Sequence, residues 1–347
     1  MAGRKASVAM DEHTVGIAGI GSYLPKRTID AWEAVRGTGI NREKFDRIGC
    51  KRLHQAGPGE MPSDMSIKAS RLALDDAGLT PAEIDVIIYT GSVKDHTRWQ
   101  AAAKIQHQLG CKNAHGFDIY QGCNGQNMAM NIGRSMISSD PNVKTVLITS
   151  GERFDSTLDP PILGSTYLFG DGGSAGILKR DHPEFVIIST AYKTWGIHHG
   201  NFCVPEIGAF SKLSMEVVER GGHQLQIWRP LCTTREELQE FGKRLIEIAD
   251  QLIDKACTRA GVTRDEIDFV ATVNGSKRHN SVFLERMRLS RCKSNIDYIE
   301  ECAHMGSTDT FYNLDRARRE GAIAKGDLIL FYTGGAGYTW AITMVRY

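Results

Sequence analysis

Ala77-Gly78-Leu79-Thr80, followed by Glu83-Ile84-Asp85-Val86-Ile87, returns later in the chain as Ala260-Gly261-Val262-Thr263, followed by Glu266-Ile267-Asp268-Phe269-Val270. The offset is 183 residues. The same offset lays Thr145-Val146-Leu147-Ile148-Thr149-Ser150-Gly151 on Leu328-Ile329-Leu330-Phe331-Tyr332-Thr333-Gly334. Two matches at one long offset point to a duplicated structural unit. Each copy reads helix, strand, helix, strand. Thr234 and Glu237 have capping-box spacing, and Leu238, Phe241, Leu245, Ile248, Leu252 and Ala256 then recur with the period of a helix. Gly261 supplies its C-terminal stop, and a strand is predicted at 269–273. The runs at 86–89, 146–149 and 328–332 are nearly all apolar, as strands buried on both faces are. Helices alternating with such strands predict a layered α/β architecture. The copies divide near the turn-like Arg180-Asp181-His182-Pro183, which gives an N-terminal half at 14–182 and a C-terminal half at 183–347.

After a strand predicted at 115–120 comes Gln121-Gly122-Cys123-Asn124-Gly125, and then a helix predicted at 126–138. Met128, Ala129, Met130, Ile132, Gly133, Met136 and Ile137 make that helix apolar or small almost all round, as in a central buried helix. The two glycines permit a tight turn. Cys123 then sits at a helix N-terminus, whose partial positive charge favours thiolate over thiol. A thiolate is the species that attacks a thioester or ester carbonyl. A small residue packed at a strand–helix junction is the plainer reading, and this local context leaves both open.

The chain has 347 residues and 41% hydrophobic content, enough for two domains or one large double domain. Lys and Arg total 42 against 41 Asp and Glu, a balance that argues against nucleic acid or an anionic membrane as partner. Residues 1–12 are mixed polar and charged, without the apolar run of a signal peptide, and no long apolar span occurs. A cytoplasmic protein is the expectation. The cysteines at 50, 111, 123, 203, 232, 257, 292 and 302 never come as CxxC, so neither a zinc knuckle nor a dithiol motif is offered. Most are expected to be small core residues. No metal is expected: His198 and His199 lack a third ligand at useful spacing.

Four stretches together resemble one family. Gly116-Phe117-Asp118-Ile119-Tyr120-Gln121-Gly122-Cys123-Asn124-Gly125 looks like the nucleophile loop of ketoacyl-ACP synthase III proteins in the thiolase superfamily. Phe169-Gly170-Asp171-Gly172-Gly173-Ser174-Ala175 resembles that family's glycine-rich stretch, and Gly334-Gly335-Ala336-Gly337-Tyr338-Thr339-Trp340 its C-terminal one. Gly19-Ile20-Gly21-Ser22-Tyr23-Leu24-Pro25 is similar to its opening strand and turn. The resemblance runs along essentially the whole chain and implies a thiolase-like, duplicated five-layer α-β-α-β-α fold.

The family's usual partners of the cysteine are a His in a Pro-His-Gln-Ala-Asn stretch and an Asn in a Gly-Asn-Thr stretch. Here the first reads Thr272-Val273-Asn274-Gly275-Ser276, without histidine. At the second, His304 falls on the family's Asn, and Asp309 follows five residues later. A loop that brings Asp309 to one imidazole nitrogen leaves the other for Cys123, the logic of an oriented base. Such a Cys-or-Ser, His, Asp set is similar to that of a divergent branch containing the cervimycin-pathway malonyl transferase and the daunorubicin starter-unit protein. The competing readings are a loop histidine for His304 and a helix cap for Asp309 within Ser307-Thr308-Asp309.

The resemblance further implies an oxyanion hole from the backbone N–H groups of Cys123 and Ala336. It places Arg47 and Arg153 near the coenzyme A phosphates and adenine, where a solvated arginine is the plain alternative. It puts Trp99 across the interface of a homodimer, in the acyl pocket of the partner, with a core tryptophan as the alternative. His198, His199 and Asn274 are expected in the substrate pocket. His279, beside Lys277 and Arg278, reads as a solvated or cofactor-facing basic turn. No permanently bound cofactor is implied; an acyl-CoA or acyl-carrier-protein thioester is the expected co-substrate. The expected function is acyl transfer through Cys123 to a hydroxyl or amine of a small-molecule acceptor in secondary metabolism. Decarboxylative condensation that primes polyketide or fatty-acid synthesis is the runner-up. A non-catalytic synthase partner, akin to chain-length factors, is a third reading, and the retained Cys123 argues against it.

Overall fold

The computed structural model describes residues 13–164, 167–209, 212–228 and 232–347. Residues 1–12, on which the expectation about a signal peptide rests, lie outside the described residues. Among the described residues no helix is long and apolar enough to cross a membrane.

Two five-stranded sheets dominate. The first contains β1 (Val15–Tyr23), β2 (Val86–Tyr89), β3 (His115–Asp118), β4 (Thr145–Glu152) and β5 (Gly172–Arg180), in the order β1-β5-β4-β2-β3. The second contains β6 (Val186–Thr194), β7 (Ile267–Thr272), β8 (Lys293–Ser294), β9 (Leu328–Gly335) and β10 (Thr339–Arg346), in the order β6-β10-β9-β7-β8. The permutation is the same in both. So is the sense: the first three strands pair antiparallel and the last two join in parallel. The repeat in the sequence is thus a repeat in topology. The chain leaves the first sheet at Arg180 and enters the second at Val186, through Asp181 and Phe185 at positive φ.

Six helices cover and separate the sheets: α1 (Pro62–Ala77), α2 (Ala101–Leu109), α3 (Gly125–Ser139), α4 (Arg235–Ala260), α5 (Lys277–Arg286) and α6 (Asp309–Arg319). One apolar cluster joins Val86, Val146 and Ile148 of the first sheet to Phe269, Ile329 and Phe331 of the second, with Met130 and Ile137 of α3 and Phe311 and Leu314 of α6 between them. A second cluster packs α1 and α2 on the outer face of the first sheet, and a third packs α4 and α5 on the second. The result is the five-layer α-β-α-β-α arrangement.

Local signals place the ends. Thr234 caps α4 with the Glu237 capping box, and Gly261 closes it at φ 67°. The strand predicted at 115–120 stops at Asp118, because the chain turns away to carry Cys123 toward the centre. The strand predicted at 269–273 spans Ile267–Thr272.

Candidate active site

Cys123 lies in the short 3-10 turn Gly122–Asn124, which runs into α3. The turn is built for close approach. Gly122 has φ +53°, and a Cβ there would sit 3.0 Å from the Ala336 nitrogen. A Cβ on Gly125 would lie 2.8 Å from Thr90 Cβ and 3.1 Å from Ser307 Cβ. The turn is then tied to the other half. Thr333 Oγ1 donates to Asn124 Oδ1 at 2.5 Å, and Asn127 Nδ2 donates to Thr333 Oγ1 and the Ala341 carbonyl at 2.9 and 3.0 Å. Gln126 Nε2 donates to Ser174 Oγ at 2.8 Å while its Oε1 accepts the Phe311 N–H of α6 at 3.1 Å. One buried amide therefore links the nucleophile helix to its counterpart.

His304 reaches Cys123 from the second half. Its backbone is held by the glycine-rich stretch: His304 N–H donates to the Leu168 carbonyl at 3.0 Å, and Gly170 N–H to the His304 carbonyl at 3.1 Å. Its ring lies between Cys123 and Asp309, with Nε2 2.9 Å from Cys123 Sγ and Nδ1 2.6 Å from Asp309 Oδ2. His304 and Asp309 are 2% and 1% exposed, so water screens neither contact. Asp309 is itself fixed by two further donors, Asn274 N–H on Oδ2 at 2.6 Å and Met305 N–H on Oδ1 at 2.9 Å. It opens α6 without capping it; its carboxylate looks back to the histidine. Burial pushes the His304 imidazole down, but the charges of Cys123 and Asp309 outweigh it and hold the ring well above its usual value. That favours an imidazolium facing the sulfur.

Ala336 lies in the β9–β10 turn beside Gly122. Asn124 is the first N–H of the 3-10 turn to bond back, to the Gln121 carbonyl at 3.2 Å, which leaves the Cys123 N–H without an acceptor within the turn. His198 stands behind this turn, in an aromatic group with Trp195, Phe241 and Tyr338 at centroid distances of 4.7, 5.1 and 5.3 Å. His199 is exposed. Asn274 is fully buried: its N–H serves Asp309, its Oδ1 accepts from Asn295 Nδ2 at 2.7 Å, and its Nδ2 has no hydrogen-bond partner among the described residues. Arg47 is exposed and paired with Glu43 one helical turn away. Arg153 is bound by Asp155 at 2.8 Å. Trp99 is partly buried against the α1–α2 cluster, edge-on to His96.

Some neighbours of the site carry no sequence signal of their own. Tyr167 has its ring 5.8 Å from His304 and lies against Gly275, where a Cβ would come within 2.6 Å of Tyr167 Cε1. Burial pushes its phenol up to about 12. His279 lies in the first turn of α5, exposed, with its ring 6.4 Å from that of Tyr167. Glu152, fully buried at the end of β4, was also unmarked, although a carboxylate closing an apolar strand is itself a signal. A cavity of about 390 Å³ is lined by His54, Asp155, Phe169 and Asp171 among others, but by none of Cys123, His304 and Asp309.

Residues 117–196 match the family described as 3-oxoacyl-[acyl-carrier-protein (ACP)] synthase III, and residues 257–347 match the description of its C-terminal part. The chain is 28% identical to a β-ketoacyl-[acyl-carrier-protein] synthase III of Caldanaerobacter subterraneus subsp. tengcongensis over 333 residues, covering 96% of this chain and 97% of the relative. It is 30% identical to the same-named protein of Rhodospirillum rubrum over 337 residues, covering 95% and 98%. Solved structures of similar fold include a 3-oxoacyl-(acyl-carrier-protein) synthase III (TM-score 0.83, 20% identity, 96% and 100% covered) and ChlB3, described as an acyltransferase (0.80, 21%, 96% and 97%). The priming β-ketosynthase of the R1128 polyketide pathway is another (0.78, 24%, 96% and 96%). With a duplicated thiolase fold and matches along nearly its whole length, the chain belongs to the 3-oxoacyl-[acyl-carrier-protein] synthase III family of the thiolase superfamily.

Proposed function

We propose that this protein is an acyltransferase that carries its acyl group on Cys123 and delivers it to a hydroxyl or amine of a small-molecule acceptor. The observation that carries this reading is the line Cys123–His304–Asp309, with 2.9 Å and 2.6 Å between the reacting atoms. The Cys123 thiolate attacks the carbonyl of an acyl-CoA or acyl-carrier-protein thioester. The backbone N–H groups of Cys123 and Ala336 receive the oxyanion. The bond to the donor sulfur breaks, and the His304 imidazolium gives its proton to that leaving thiolate. Neutral His304 then takes the proton of the incoming hydroxyl or amine as it attacks the acyl-enzyme. The bond to Sγ breaks, and the thiolate–imidazolium pair returns. Asp309 orients the ring throughout.

Arg47 suits a phosphate of the donor, since an exposed i,i+4 pair of this kind is worth only about 0.3–0.5 kcal/mol and yields readily. Arg153, already bound by Asp155 and near two backbone carbonyls, suits that role less. A homodimer with Trp99 at its interface belongs to the same proposal, as do a cytoplasmic location and a place in secondary metabolism.

The names of the relatives favour a second reading, decarboxylative condensation of the ketoacyl synthase III type. Val273, where the family has a histidine, supports transfer to oxygen or nitrogen instead, because one of two groups that stabilise an enolate is missing. The two readings part in one experiment. Purified protein is incubated with acetyl-CoA or malonyl-CoA and followed by intact mass and carbon dioxide release. An adduct that disappears in Cys123→Ala, without carbon dioxide, is expected. No adduct would sink the covalent mechanism, and robust decarboxylation would hand the function to the condensing reading.

A further inference from the structure

The mechanism leaves one buried carboxylate without a task. Glu152 ends β4 and is fully buried. It accepts the Ser92 N–H at 2.8 Å, the Ser92 hydroxyl at 2.8 Å and the Val93 N–H at 3.0 Å. None of these donors is a cation. The phenols of Tyr89 and Tyr120 are the titratable groups raised by its charge. Placing an unpaired carboxylate in such a site is costly unless its hydrogen bonds matter to the structure around it.

They hold the carboxylate against the turn Gly306–Thr308, between His304 and Asp309. Gly306 has φ +58°, and a Cβ there would lie 2.7 Å from Glu152 Oε1. Beneath it, Ser307 Oγ meets Ser150 Oγ at 2.7 Å and Thr90 Oγ1 at 3.1 Å, and Thr308 Oγ1 donates to Ser150 Oγ at 3.0 Å. The turn thus has no freedom to move toward β4, and the five-residue reach from His304 to Asp309 is set by it. We propose that Glu152 is a positioning residue for the His304–Asp309 pair, its carboxylate clamping the Gly306–Thr308 turn onto the Ser92–Val93 loop. This rests on the reading that Cys123 and His304 act as a pair. It adds that the geometry of the pair is imposed from the other half of the fold.

Iodoacetamide alkylation of Cys123 between pH 5.5 and 9 tests it without any substrate. Rates are read by intact mass, with Cys123→Ala giving the background of the other thiols. Wild type is expected to react at pH 6 faster than the background thiols, since Cys123 has an imidazole nitrogen 2.9 Å from its sulfur to draw off the proton. Glu152→Gln keeps the shape but turns an NH2 toward backbone donors. Its rate at pH 6 should fall about tenfold and converge with wild type at pH 9, where any thiol ionises. Ser92→Ala removes one donor from Glu152 and should lose about threefold at pH 6, which carries the test if Glu152→Gln does not fold. A folded Glu152→Gln, or failing that Ser92→Ala, with the wild-type profile overturns the role of Glu152. A wild type unreactive at pH 6 overturns the Cys123–His304 pair itself, and this proposal with it.

Discussion

The turns Gly122–Asn124 and Gly306–Thr308 occupy the same place in the two halves. Under the 183-residue offset Cys123 falls on Gly306, and Glu152 falls on Gly335. Each turn follows the parallel edge of its own sheet and opens a central buried helix, α3 or α6. Each is also gripped by the opposite half. Thr333 and Gly335 of β9 hold the first, Ser150 and Glu152 of β4 hold the second. Yet one turn bears the sulfur, and the other bears a bare glycine between a histidine and an aspartate. Duplication brings two helix N-termini face to face, each favouring a negative group. On the proposed mechanism, divergence has put the nucleophile on one and the proton handling on the other.

The largest expected effects test that division. His304→Ala should cut transfer by about 10²–10⁴-fold, the usual span for loss of a positioned base. Single-turnover acylation of Cys123 by acetyl-CoA should fall less, because the sulfur and its oxyanion donors remain. Asp309→Asn should cost a hundredfold or more, about the scale seen when an orienting carboxylate is lost. Equal losses in acylation and transfer for His304→Ala would break the assignment of separate tasks to the two turns.

The grips differ in kind, and glycine substitutions expose this. A Cβ on Gly335 would meet the Gln121 carbonyl at 2.4 Å and the Asn124 nitrogen at 3.2 Å, both backbone atoms that cannot swing aside. Gly335→Ala is expected to lose about 2–3 kcal/mol in urea unfolding, as overpacking against backbone does. In Gly306→Ala the nearest atom is the end of the Glu152 side chain, and the residue also needs φ +58°. About 1–2 kcal/mol is expected there, most of it from the left-handed conformation. Gly37, with open space around its Cα, is the control and should be near neutral. If Gly306→Ala matched Gly37→Ala, the turn would be loosely held and the comparison would fail.

The sequence carried the fold because duplication leaves a trace in strands and caps, where residue types are constrained locally. The apolar runs became β2, β4 and β9, and the Thr234–Glu237 box became the start of α4. His304 and Asp309 were legible for a different reason: the resemblance supplied a position, and a five-residue spacing supplied the partner. What stayed hidden was what only tertiary contact creates. The backbone N–H of Asn274 holds Asp309 and its Oδ1 accepts from Asn295, contacts that the residue's place beside Val273 does not announce. Tyr167 and Glu152 approach the site from strands far away in the chain, and no period or motif marks such an approach. Arg47 and Arg153 sit on the surface side of their elements, where a sequence cannot tell a free cation from a paired one.

The smallest effect concerns protons and separates Glu152 from its counterpart, which has nothing to titrate. Burial raises Glu152 from 4.5 to about 7, against the pull of its hydrogen bonds. The folded state therefore holds this proton more tightly than the unfolded chain. By linkage, the associated stability is fully present below about pH 4.5 and is lost as pH rises through about 7. Asp171, raised to about 6 for the same chief reason, has the same sign and cancels when wild type is compared with a Glu152 variant. Glu152→Gln cannot ionise. The margin in thermal midpoint of wild type over Glu152→Gln should accordingly shrink from pH 5 to pH 8, by about 1–2 °C for each kcal/mol lost in a chain of this size. A margin that widened with pH would mean that ionised Glu152 is better accommodated in the fold than in water. The clamp on Gly306–Thr308 would then be an ordinary stabilising network, with no penalty set against the hydrogen bonds from Ser92 and Val93.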